Sequence, residues 1–124
     1  MGDAVTGIID PEVESMYLEA RRCSSVGAYT ACVMACRKLL MNVAVHKKAP
    51  ENQTFAQYVE FLDAQGYIPP DGRAWVDEIR KRGNLATHEI KLMSSEDASV
   101  VLDFTAMLLR FVYELPSKLP KPKS

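Results

Sequence analysis

The chain of 124 residues holds no uninterrupted apolar stretch of the ~18 to 20 residues that a membrane-spanning helix needs, and no basic-then-apolar leader opens it. Neither membrane insertion nor export is expected, and the chain reads as cytoplasmic. Cysteine is scarce. Cys23, Cys32 and Cys36 form an odd set without a CxxC spacing, so no disulfide framework is expected, and Cys32 and Cys36 read as small buried hydrophobes four apart on one helix. The two histidines, His46 and His88, stand far apart, so no zinc set is expected. The six glycines are spaced into neither a GxxxxGK[ST] loop nor a GxGxxG turn, so no nucleotide cofactor is expected. No G-x-S-x-G marks a nucleophile. Neither sign of charge dominates: 15 Lys plus Arg against 16 Asp plus Glu leave a net charge of -1. That excludes a protein that coats nucleic acid by bulk charge, and any anionic partner must be met by a local patch.

What is present is the composition of one globular domain, 48% hydrophobic and 25% charged. Asp10-Pro11 is an N-cap acid followed by proline at the first helical position, and Val13, Met16, Tyr17 and Ala20 recur at helical spacing up to about Ser25. After Gly27, residues 28 to about 45 are apolar on nearly all sides, which predicts the central helix of a bundle. Thr54 to Gln57 forms a T-x-x-Q capping box, and Phe55, Tyr58, Val59 and Leu62 line one face until Gly66. Trp75, Val76 and Ile79 mark a fourth helix, expected to end at Gly83-Asn84. Ser94 or Ser95 caps a fifth, on which Val100, Val101, Phe104, Met107, Leu108, Phe111 and Val112 keep the helical period until Pro116. No segment alternates as a strand. The expected fold is all-α, a single bundle of about five helices over residues 10–116, with an N-terminal extension at 1–9 and a flexible basic tail at 117–124.

The charges are balanced overall but sorted along the chain. Residues 1–20 carry five acids and no base, 21–50 six bases and no acid, 51–78 six acids and one base. Residues 79–91 are basic again, with Arg80, Lys81, Arg82 and Lys91 against Glu89. If the two basic segments pack together they make a surface suited to phosphates. The second one runs on into Asn84 and His88. An imidazole that titrates near neutrality, an amide and a guanidinium are the parts needed for metal-free phosphodiester cleavage. A lone histidine must then serve as base and later as acid, so a symmetric dimer with two copies of His88 is the more capable arrangement. The same residues also have plain structural roles, in helix capping and in pairing with acidic neighbours.

Gly27-Ala28-Tyr29, then Ala35-Cys36-Arg37-Lys38-Leu39-Leu40, then Ile79-Arg80-Lys81-Arg82-Gly83-Asn84-Leu85-Ala86-Thr87-His88-Glu89, resemble the domain-of-unknown-function 4145 family over about residues 10–115. That family is similar to the HEPN superfamily of helical domains. The resemblance implies a HEPN-like homodimer and a link to prokaryotic phage defence. Active HEPN members are metal-independent endoribonucleases with an arginine, a polar residue directly after it, and a histidine beyond. Carried onto this sequence, the catalytic set is His88 as general base, Asn84 as the polar residue and Arg82 on the phosphate, but Gly83 stands where the arginine next to Asn84 belongs. Met41 likewise stands where the family often has glutamate. The expectation is therefore a non-catalytic dimeric module that recognises RNA, another anionic ligand or a protein partner through Arg37, Arg80, Arg82, Asn84 and His88. A metal-independent endoribonuclease and a purely structural oligomerisation domain are the alternatives.

Overall fold

The structure, a computed structural model, describes residues 4–88 and 92–119, with the side chains of residue 71 and residues 83–88 left aside. Among the described residues every regular element is helical. The first, α1, spans Pro11–Ser25 with Glu12 and Glu14 in its positive first turn. Asp10 holds the N-cap position, where its carbonyl accepts the Glu14 N–H at 3.1 Å but its side chain does not cap the helix. Its carboxylate instead accepts the Tyr113 hydroxyl at 2.6 Å, which ties the start of the chain to its last helix. Gly27, at φ +80°, takes the left-handed conformation that turns the chain back, and the Ala28 N–H closes on the Cys23 carbonyl at 2.8 Å.

Helix α2, Tyr29–His46, packs on α1 and on the three long helices that follow. It is the central helix expected from its composition, yet it is not enclosed. Cys32, Val33, Cys36, Leu39, Leu40, Val43 and Ala44 are buried, while Met34, Ala35, Met41 and Val45 stay half-exposed. Helix α3, Phe55–Ala64, starts on the expected box: the Gln57 N–H donates to Thr54 Oγ1 at 3.1 Å and the Thr54 N–H donates to Gln57 Oε1 at 2.8 Å. Gly66, at φ +78°, follows its end.

A single 3-10 turn, Pro70–Gly72, leads into α4. This helix spans Arg73–His88 and does not end at Gly83-Asn84 as the sequence implied. Glycine is a permitted stop, but it stops a helix only where the following chain has somewhere to turn. Here good helix formers, Leu85 and Ala86, continue the run. Residues 89–91 lie outside the description. The chain resumes with the Met93 N–H donating to Thr30 Oγ1 at 2.9 Å, which fixes the approach to α5 on the first turn of α2.

Helix α5, Ser95–Leu109, is capped by Ser94 and Asp97 in a reciprocal box. Its expected face splits. Val101, Phe104, Leu108 and Val112 are buried, whereas Met107 and Phe111 are exposed. Pro116 does not end the run. A wide π-type turn, Arg110–Glu114, passes directly into a last helical turn, α6, Leu115–Lys118. Proline sits in the first turn of α6, where its missing N–H costs nothing. Ser117 and Lys118 therefore belong to the helix, and residues 120–124 of the expected tail lie outside the description. Residues of the extension pack back: the Thr6 N–H and hydroxyl both donate to Glu114 Oε1 at 2.8 Å. Between Leu40, Val59, Leu62, Val76, Phe104 and Leu108 the core leaves a void of only about 10 Å³, room for one water at most.

Candidate functional site

Helix α4 carries the candidate block, and its continuity sets the geometry. Each residue of an α-helix advances about 100° around the axis, so positions 82 and 84 lie about 200° apart, on opposite sides, while 84 and 88 lie about 40° apart on one side. Arg82 and the pair Asn84 and His88 thus start from different faces of one helix. The side chains of Asn84 and His88 fall outside the description, and Glu89 does so entirely.

Arg82 is engaged by carboxylates from two elements. Its Nη1 pairs with Asp97 Oδ1 at the start of α5, and its Nη2 lies 3.2 Å from Glu78 Oε2 one turn back on α4. The side chain is only 21% exposed, and its Nε is buried with no partner among the described residues. Asp97 is doubly used, since its Oδ2 also accepts the Ser94 N–H at 2.8 Å. Burial pushes the Asp97 carboxyl up, but the Ser94 N–H and hydroxyl together with the Arg82 guanidinium outweigh it and hold the group below its ordinary value. Arg82 is thus a strap between α4 and α5.

Arg80 stands on the exposed side, with Nη2 3.4 Å from Asp77 Oδ1. A pair of this kind contributes little, about 0.2–1 kcal/mol, and leaves the guanidinium free to change partner. Arg37 differs from both. It lies on α2, half-buried, with its guanidinium 4.7 Å from the centre of the Phe55 ring at the head of α3. Its Nη1 is buried and has no hydrogen-bond partner among the described residues, and burial lowers its pKa from the ordinary arginine value. The three candidate arginines therefore occupy three settings: Arg82 between α4 and α5, Arg80 on the outer side of α4, Arg37 against α3.

Two surface features went unread in the sequence. Trp75, 38% exposed, stacks at 6.4 Å on Phe104 and lines a shallow depression of about 280 Å³ with Ala74, Glu78, Arg82 and Val100. Its apolar spacing gave it to the core, and nothing local marks it as surface. His46, set aside because it stands far from His88, lies with Nδ1 3.4 Å from Asp10 Oδ1 and Nε2 3.9 Å from Glu12 Oε2. It borders a cleft of about 510 Å³ together with Lys38, Asn42, Glu51 and Tyr58. Packing of α1 and of the 51–58 segment onto α2 brings these residues together, so no contiguous motif announces them. Two residues of the loop after α2, Lys48 and the cleft-lining Asn52, take positive φ values of 79° and 63°.

Cys32 and Cys36 are fully buried and Cys23 is half-buried, all three as free thiols. Among the described residues no group of three or more His, Cys, Asp or Glu side chains is placed to hold a metal ion. No described helix is long and apolar enough to cross a membrane. The sequence pattern of one family, described as Domain of unknown function (DUF4145), matches residues 18–123. No curated protein and no solved structure matches the chain.

Proposed function

The chain belongs to the DUF4145 family, and from that premise we propose that it is a non-catalytic, dimeric, HEPN-like helical module that binds RNA in the cytoplasm, in the setting of prokaryotic defence. One observation carries the non-catalytic part: the guanidinium that cleavage would require, Arg82, is closed between Glu78 and Asp97. Phosphate binding by Arg82 would have to displace two carboxylates, one of which also caps α5. Continuity of α4 through Gly83 adds to this, because it starts Arg82 and Asn84 from opposite sides of the helix.

Recognition falls to cations without so strong a commitment. Arg37 is half-buried, with its guanidinium against the Phe55 ring and no carboxylate paired to it among the described residues, and Arg80 has one exposed carboxylate partner among them, Asp77. Trp75 adds an exposed indole of the kind on which unpaired bases stack. Asn84 and His88 act here as ligand contacts. The endoribonuclease alternative needs Arg82 released, and the structural alternative needs no ligand at all.

A labelled single-stranded RNA, followed by fluorescence anisotropy, separates the three. The module is expected to bind with an affinity that falls as salt rises, each phosphate contact giving a slope of about -0.7 in the logarithmic plot. Arg37→Ala and Trp75→Ala should each weaken binding, and RNA incubated with the protein in chelator should stay intact. Cleavage that leaves a cyclic phosphate and disappears in His88→Ala would establish the enzyme instead. Absence of binding at low salt would leave the oligomerisation domain.

A further inference from the structure

Trp75, Glu78 and Arg82 stand at i, i+3 and i+7 along α4, so one side of the helix carries all three. With Ala74, and with Val100 of α5, they line the depression of about 280 Å³. Pockets for drug-sized ligands begin near ~300 Å³, so the occupant here is a small group and not a helix or a duplex. Phe104 backs the indole, with 6.4 Å between ring centres and 19° between planes, while 38% of Trp75 stays open. Beside it, Arg82 Nη2 and Glu78 Oε2 lie 3.2 Å apart and set a donor next to an acceptor. Asp97 fixes the same guanidinium through Nη1, and Nη2 carries a second N–H besides the one facing Glu78. Glu78 is 48% exposed, so its carboxylate keeps lone pairs open to a ligand.

We infer that this depression takes one unpaired guanine base of an RNA strand, stacked on Trp75 and read along its Watson–Crick edge by Glu78 and Arg82. This rests on the RNA-binding reading above and names the base that the module selects. Hydrogen-bond complementarity carries it. Guanine's edge shows a carbonyl oxygen followed by two N–H donors, and a guanidinium N–H beside a carboxylate is its match. O6 accepts from Arg82 Nη2, while N1–H and the N2 amine donate to Glu78. Adenine and cytosine each bring a ring-nitrogen acceptor to the carboxylate, and uracil has a carbonyl on either side of its single N–H. None of the three gives Glu78 two donors. Charge points the same way. Glu78 and Asp97 repel a phosphate at this spot, whereas a neutral base edge rich in donors is attracted to a carboxylate. The commitment that withdraws Arg82 from phosphate contact thus equips it to read a base.

Trp75 is the one tryptophan of the chain, so its fluorescence reports on this site directly. With the full chain, a short oligouridylate carrying one central guanosine should quench that fluorescence and bind about 10-fold tighter than oligouridylate alone, the gain from hydrogen bonds to a charged acceptor at a half-open site. Inosine lacks the N2 amine and should forfeit most of the gain, while 7-deazaguanosine keeps the Watson–Crick edge and should retain it. Those two arms use wild-type protein and so do not depend on a variant that folds. Glu78→Gln replaces one acceptor by a donor and should bring the guanosine oligomer down to the all-uridine level. A merely structural Glu78 would leave the ratio of the two affinities where it was, and that result overturns the inference. Equal affinity of the wild type for every oligomer overturns the guanine site and leaves RNA binding standing. Quenching by free guanosine monophosphate that needs Glu78, with no RNA bound, supports the site and sinks the RNA reading. A protein that responds to neither overturns both.

Discussion

Asp97 joins three structural tasks in one carboxylate: it accepts from the Ser94 backbone, takes the Ser94 hydroxyl, and holds Arg82. Asp97→Ala should therefore lower stability by about 1–3 kcal/mol in denaturant titration, the cost of a lost cap plus a stranded half-buried guanidinium. Asp97→Asn, which keeps an acceptor, should cost less. If Asp97→Ala proves neutral, Arg82 is not committed and the case against phosphate binding weakens. Tyr113 gives a second residue-scale test. Burial, and then the adjacent Asp10 carboxylate, push its phenol above the ordinary range. A raised folded pKa contributes stability below the unfolded value near 10, and that contribution drains away as pH climbs beyond about 10. Tyr113→Phe keeps the ring under the Lys47 ammonium, 4.9 Å away, and removes only the hydroxyl. It should lower neutral-pH stability by about 1–2 kcal/mol, the worth of a hydrogen bond to a charged acceptor, and flatten the alkaline limb of the stability curve.

At the scale of elements, what could be read in the sequence depended on whether the deciding interaction was local. The T-x-x-Q box is a contact within one turn, and α3 begins where that box places it. Gly27 and Gly66 do occupy left-handed turns. Gly83 looks the same in sequence but lies inside α4, because no residue type states whether the chain will turn or continue. Interior glycine costs a helix about 0.5–1 kcal/mol against alanine. Gly83→Ala should accordingly raise the thermal midpoint, and a fall would show that a neighbouring element fills the space beside that turn. Met107 and Phe111 were unreadable for a related reason. Their spacing is helical on either face, and only the packed neighbours of α5 decide which face is inside. The cationic block was visible at once. Its partition among Asp77, Glu78 and Asp97 was not, since Asp97 comes from another helix, and the same holds for Arg37 of α2, whose Phe55 partner heads α3.

For the whole molecule, acid should loosen the two ends of the bundle together. Asp97 is held below its ordinary value at the head of α5, and Glu114 is held low by the Thr6 N–H and hydroxyl near its tail. Depressed folded values contribute stability above the unfolded carboxylate range and lose it as pH falls through the folded values, so the fall should come below about pH 4. Amide exchange at the start of α5 and around Thr6 should then accelerate before exchange in the middle of α2. The contact between Thr6 and Glu114 has another outcome. It brings the incoming and outgoing strands of the domain side by side, so a host protein could carry the bundle spliced into a surface turn without parting its own backbone. The same neighbourliness would let a short peptide join Thr6 to Lys118 as a ring, to be reopened at the exposed bend near Glu51.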